Sequence, residues 1–320
     1  MLTAEFLSTI QLNQIPQGQI WWAKVLSLNY ALPRKTEVVV EGIENLPTDR
    51  RVFLAMNHTD RYNSWPLQHH LHLSRKEYTC TWVKGKYYLN PLVRTFLLST
   101  NNIPLASRGY VISSRFKKAM NRSPNGEEYR FIRNLLDNNQ SLDQISTASS
   151  SLQQFLGDQP QNRLDALRSD FAGMSNEVIR LNKQAFELGH HILVFPEGTR
   201  SIRLGKGHTG LAQMAQRLGV DIVPIGCSGS SKCYPGAIPW AKGGRIVYRI
   251  GKPILLDSSE FSPMRVTDKF IPFSSDAQQK YGQSFQQLTD TIMDQINELL
   301  DPEHQRDVTG KSQSEDNRIL

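Results

Sequence analysis

The stretch Ile192-Leu193-Val194-Phe195-Pro196-Glu197-Gly198-Thr199-Arg200-Ser201 decides the fold. Its first three residues are branched and apolar, as a short buried strand requires, and Pro196 stops the strand because it has no N–H to share. Gly198 permits a turn that other residues resist. Glu197, Thr199 and Arg200 then put an acceptor, a hydroxyl and a planar cationic fork on one loop, a set suited to phosphate or carboxylate. The pattern is a strand delivering a polar loop to a site at the edge of a sheet. An ordinary solvated turn can carry the same residues, so the reading depends on what lies upstream.

Upstream, the β-branched run Thr36 to Val40 reads as a strand. Arg51 to Met56 reads as a buried one that ends in Asn57-His58-Thr59-Asp60-Arg61-Tyr62-Asn63. Spacing predicts helices near 65–74, 91–98 and 171–188, with a strand at 79–83. Downstream come a helix at 211–218 capped by Gly219, strands at 221–225 and 245–250, and a helix marked by Phe285, Leu288, Ile292, Ile296 and Leu299. Strands alternating with helices give an α/β class. The expected organisation is an N-terminal amphipathic segment at 1–35 and a main domain at 36–260 that carries a flexible polar insertion at 138–169. A helical extension at 261–300 and a disordered tail at 301–320 complete it.

The 320 residues carry a formal net charge of +7, which favours anionic partners. Adjacent Trp21 and Trp22 beside Lys24 suit either a lipid–water interface or a helix packed on the domain. No run is long and apolar enough for a spanning helix, and the N-terminus lacks signal-peptide features. The three cysteines, Cys80, Cys227 and Cys233, have no disulfide or zinc pattern. The expectation is a cytoplasmic protein that meets an anionic membrane peripherally, with no metal.

Four blocks in fixed order resemble the glycerol-3-phosphate and lysophosphatidate acyltransferase superfamily. They are Val40 to Pro47 leading into Asn57-His58, Ile103-Pro104-Leu105 ending at Arg108, Phe195 to Ser201, and Val223-Pro224-Ile225-Gly226. With Gly251 to Ile254 they span about residues 37–255. The resemblance implies a mixed central sheet flanked by helices. It also implies transfer of a fatty acyl group from a thioester, on coenzyme A or acyl carrier protein, to a lysophospholipid hydroxyl, with no separate cofactor. An alcohol is a poor nucleophile until a base takes its proton, and His58 at the end of a strand is placed to be that base. By resemblance Arg108, Glu197, Gly198, Thr199 and Arg200 form the acceptor site.

Two positions depart from the family pattern. Asn63 stands where the motif has Asp, so the residue orienting His58 is either Asn63 or Asp60. An amide can fix the imidazole tautomer but supplies no charge, which leaves a catalytically impaired, lipid-binding relative as the alternative. Ser107 replaces an acidic residue before Arg108. Competing patterns are weaker. His69, His70 and His72 lack partners at metal-ligand spacing. Gly205 to Gly210 is not a P-loop, though Lys206 within it is a candidate for the donor's phosphates. No Gly-x-Ser-x-Gly elbow and no nucleic-acid-binding motif is present, so nucleic acid is not an expected partner.

Overall fold

The computed structural model describes residues 2–32, 34–105, 107–137 and 140–307. Seven strands form one sheet: β1 (Thr36–Glu41), β2 (Phe53–Met56), β3 (Thr79–Lys84), β4 (Ile103–Leu105), β5 (His191–Val194), β6 (Ile222–Ser228) and β7 (Gly244–Ile250). Their order is β1-β7-β6-β2-β5-β3-β4. The five strands from β6 to β4 are mutually parallel, and β7 turns the direction by pairing antiparallel with β6. The sheet is therefore mixed, as expected.

Both faces are covered, which is why the central strands read as unbroken apolar runs instead of alternating ones. Phe53, Ala55, Ile192 and Val194 point into one core, and Val52, Leu54, Met56, Leu193 and Val223 into the other. The first core is closed chiefly by α1 (Ala4–Ser8), α8 (Pro160–Glu187), α9 (Gly210–Leu218) and α11 (Ser275–Glu298). The second is closed by α2 (Gln17–Ala31) and α3 (Trp65–Arg75), and α4 (Pro91–Ser99) lies beside α2.

Two expectations change and a third narrows. The 138–169 stretch has the composition of a flexible insertion, yet its described part contains α7 (Ser150–Leu156) and the first turns of α8. Leu152, Phe155, Leu156, Leu164 and Leu167 are buried there against α5 (Arg108–Met120) and α6 (Gly126–Leu136). Its polar residues are the solvent faces of short helices, so composition alone concealed five well-spaced apolar anchors. The expected tail at 301–320 also divides. Residues 301–307 pack on the loop after β5, where Leu204 N–H donates to the His304 carbonyl at 2.8 Å and His304 Nδ1 lies 2.7 Å from the Ile202 carbonyl. The rest of that tail lies outside the described residues. Finally, of the two settings expected for the N-terminal segment, α2 shows the packed one. α2 buries Ala23, Leu26, Asn29 and Tyr30 on the domain while Trp21, Leu28 and Leu32 stay exposed.

Candidate active site

The site forms where β2, β5 and β3 release the chain at their carboxyl ends, the usual place for ligands in an open α/β sheet. Beyond Met56, the Asn57 side chain behaves like a strand partner of β6. Its Nδ2 donates to the Cys227 carbonyl at 2.9 Å and its Oδ1 accepts the Cys227 N–H at 2.7 Å. This pins the base of the loop. His58 then joins the two central loops, because its N–H donates to Glu197 Oε2 at 2.8 Å and its carbonyl accepts the Ser201 N–H at 2.8 Å. The Phe195 ring stacks on the imidazole with centroids 4.0 Å apart.

His58 Nδ1 lies 3.2 Å from Asn63 Oδ1. Asn63 is fully buried, and its Nδ2 donates to the Asn57 carbonyl at 2.8 Å. With the NH₂ end so committed, the amide oxygen is the end that faces the imidazole, so Nδ1 carries the proton and Nε2 keeps its lone pair. The Tyr248 hydroxyl donates to the Asn63 carbonyl at 2.6 Å and holds the residue from behind. Asn63 is thus the orienting residue. Asp60 faces elsewhere, with Oδ1 accepting the Tyr62 N–H at 2.8 Å and Oδ2 accepting the Thr59 hydroxyl at 3.0 Å.

Burial pushes the His58 imidazole down to about 4; the bond to Asn63 opposes this, while the Arg200 and Lys84 cations add to it. A neutral imidazole with a bare Nε2 is the form a general base needs. Glu197 is buried, and burial pushes its carboxyl up to about 7 against the pull of the Gly205 and His58 N–H donors. Both its oxygens are spent inside the protein, since Oε1 accepts the Gly205 N–H at 2.8 Å. Glu197 therefore ties the loops together, in place of the direct substrate contact expected of it. Gly198 takes φ +63°, a left-handed turn, and a Cβ there would sit 3.1 Å from the His208 ring.

His58, Gly198, Thr199 and Arg200 all line one cavity of about 760 Å³. Arg61, Lys84 and Lys86 stand in the same wall, and apolar surface comes from Trp22, Trp65, Trp82, Val93, Phe96 and Leu97. Arg108 and Lys206 are not in that wall. Arg108 opens α5, whose N-terminus Ser107 caps by accepting the Tyr110 N–H, and its guanidinium pairs with Asp137. The cations that sequence reasoning missed had a readable signal: Lys84 is the polar residue ending the Thr79 strand, just as His58 follows the Arg51 one. Among the described residues, no three His, Cys, Asp or Glu side chains gather as metal ligands.

No curated protein matches the chain. Among solved structures it is similar to the 1-acyl-sn-glycerophosphate (LPA) acyltransferase PlsC from Thermotoga maritima. The two share 16% sequence identity over 86% of this chain and 78% of that chain, with a TM-score of 0.38. The model of the Acyltransferase family matches residues 37–228, from β1 through β6 and across every loop that builds the His58 site, and the chain belongs to that family.

Proposed function

We propose that the protein moves a fatty acyl group from an acyl-CoA or acyl carrier protein thioester to the free hydroxyl of a lysophospholipid. The observation that carries this reading is the neutral, Asn63-oriented His58 in the wall of a cavity lined by both apolar and cationic side chains. His58 Nε2 takes the hydroxyl proton as the alkoxide oxygen attacks the thioester carbonyl. The tetrahedral intermediate collapses, the C–S bond breaks, and the thiolate recovers the proton from the imidazolium. No covalent enzyme intermediate is needed because a thioester is already activated. Backbone N–H groups of the Thr199–Arg200 turn meet the developing oxyanion, and Arg200, Arg61, Lys84 and Lys86 hold the phosphates of acceptor and donor.

Work at a membrane surface fits the exposed apolar residues beside the cavity. α2 and α4 line the cavity with Trp22, Val93 and Phe96, and they expose Trp21 (60%) and Leu92 (83%). Leu28, Leu89 and Tyr87 are exposed as well, and apolar residues left in water are of the kind that enters a headgroup layer. No helix among the described residues is long and apolar enough to cross a membrane. The test is transfer of labelled acyl-CoA and acyl carrier protein thioesters to a panel of lysophospholipids in vesicles, with wild type beside His58→Ala. Diacyl product that disappears in the variant is the expected result. Lipid binding without product from any donor–acceptor pair would instead identify an impaired, lipid-binding relative, the reading favoured by the missing charge at Asn63.

A further inference from the structure

The cavity has two unlike sections. Near His58 an aromatic collar closes around it: the Trp22 ring lies 4.8 Å from Trp65 and 5.8 Å from Phe96, and Trp65 lies 6.3 Å from Phe96. α3 then carries its side chains away from the catalytic loop. Between Trp65 and His72 the helix advances about 10 Å, and the residues it adds to the wall are Gln68, His69 and His72. Gln19, Thr81 and Thr100 face them from the other elements. A pocket for methylene groups alone gains nothing from such a lining, because each polar group loses water when hydrocarbon covers it.

The hydrogen bonds around this second, part-exposed section set what it offers. The Gln68 amide nitrogen donates to Thr79 Oγ1 at 2.7 Å and to Thr81 Oγ1 at 3.1 Å. Gln68 Oε1 is thereby left as an acceptor, with no protein donor among the described residues. His69 Nε2 lies 2.8 Å from the Ser27 hydroxyl, and that hydroxyl donates its own proton to the Ala23 carbonyl at 2.9 Å. The Ser27 oxygen therefore accepts from His69, so Nε2 carries the imidazole proton and Nδ1 is a bare acceptor. Burial, with His70 and His72 adding to it, pushes His69 down to about 4, so the ring is neutral under physiological conditions. The Tyr30 ring packs edge-on against it at 5.2 Å and holds its plane.

Two adjacent residues of one helix thus present acceptors in the cavity wall, while the buried Trp22 Nε1–H of the collar has no partner of its own. Building on acyl transfer as the activity, we infer that the favoured acyl group carries a hydroxyl, which donates to Gln68 Oε1 or His69 Nδ1 according to its position on the chain. Hydroxyacyl thioesters are then preferred over plain ones of equal length, and Gln68 and His69 are the specificity-determining residues.

The test pairs acyl-CoA donors of equal length, one plain and one hydroxylated, with the hydroxyl moved along the chain. Each pair competes for a lysophosphatidate acceptor in the presence of the full-length protein. One hydrogen bond to a neutral acceptor predicts about a tenfold advantage in kcat/KM for the hydroxylated donor at the matching position. Gln68→Leu or His69→Leu should bring that ratio to one or below, and His69→Gln, which restores an acceptor, should recover part of it. Plain donors that equal or beat every hydroxylated one in wild type would overturn the inference, as would a preference that survives both leucine variants. If no donor is turned over, acyl transfer itself falls, and binding titrations with the same pairs as free fatty acids decide the inference. A Kd about tenfold tighter for the hydroxylated acid, lost in both leucine variants, supports it; equal Kd values overturn it.

Discussion

Replacing Asn63 by Asp restores the family's charge and isolates what the amide does here. The carboxylate would lie where Asn63 Oδ1 now lies, 3.2 Å from His58 Nδ1. Unit charges about 4 Å apart at an effective dielectric of about 20 interact by about 4 kcal/mol, and 1.36 kcal/mol corresponds to one pH unit. A carboxylate favours the imidazolium, so the His58 midpoint should rise from about 4 by about 2 to 3 pH units once the cost of burying the new charge is deducted. The second carboxylate oxygen replaces an NH₂ group that donates to the Asn57 carbonyl at 2.8 Å. Two acceptors then face each other in a buried place, which costs about 1–3 kcal/mol of stability. Histidine-selective NMR titration, with the His58 signal assigned by its absence in His58→Ala, reads the first effect, and chemical denaturation reads the second. An unmoved midpoint would refute the placement of Asn63 against the ring. A variant as stable as wild type would refute the amide orientation from which the tautomer was derived.

Four further outcomes follow from the same geometry. Asp60→Asn keeps an acceptor for the Tyr62 N–H and does not touch the ring, so turnover and the His58 midpoint should hold; a loss of about 10²-fold would return Asp60 to the catalytic pair. Glu197 has a folded value of about 7, above its ordinary 4.5, so its contribution to stability is full at low pH and is lost as pH rises through 7. Denaturation across pH should show about 3 kcal/mol of this loss in wild type and none of it in Glu197→Gln; parallel curves would contradict the burial argument. Arg200→Gln should raise both the KM for a phosphate-bearing acceptor and the His58 midpoint, since the guanidinium lowers the latter. Arg108→Ala, whose cation is taken by Asp137, should change that KM by no more than about twofold. The reverse ranking of the two arginines would place the acceptor beside α5.

Burial on both faces of a parallel sheet makes strands continuous in hydrophobicity, and the chain must leave such strands through polar loops. For that reason β2 and β5, with His58 and Phe195 to Ser201 directly after them, were legible from the sequence. The 138–169 helices were not, because five buried anchors among many polar residues look like any solvated segment until a partner surface is known. Lys84 had a local signal, but nothing along the chain says that β3 lies next to β5.

The sequence by itself determined the α/β class, the positions of most elements, and the place of His58 directly after a buried strand. Those properties depend on local periodicity, on proline and glycine at strand ends, and on a short motif. Only the tertiary structure decided that Asn63 and not Asp60 orients the ring, and that Glu197 joins two loops where a substrate contact was expected. It alone removed Arg108 from the cavity wall and put Lys84 and Arg61 into it. Each of these outcomes turns on which way a side chain points, over distances of about 3 Å, between residues far apart in the chain. Hydrogen bonds of that kind are set by packing, and no spacing along a sequence encodes them.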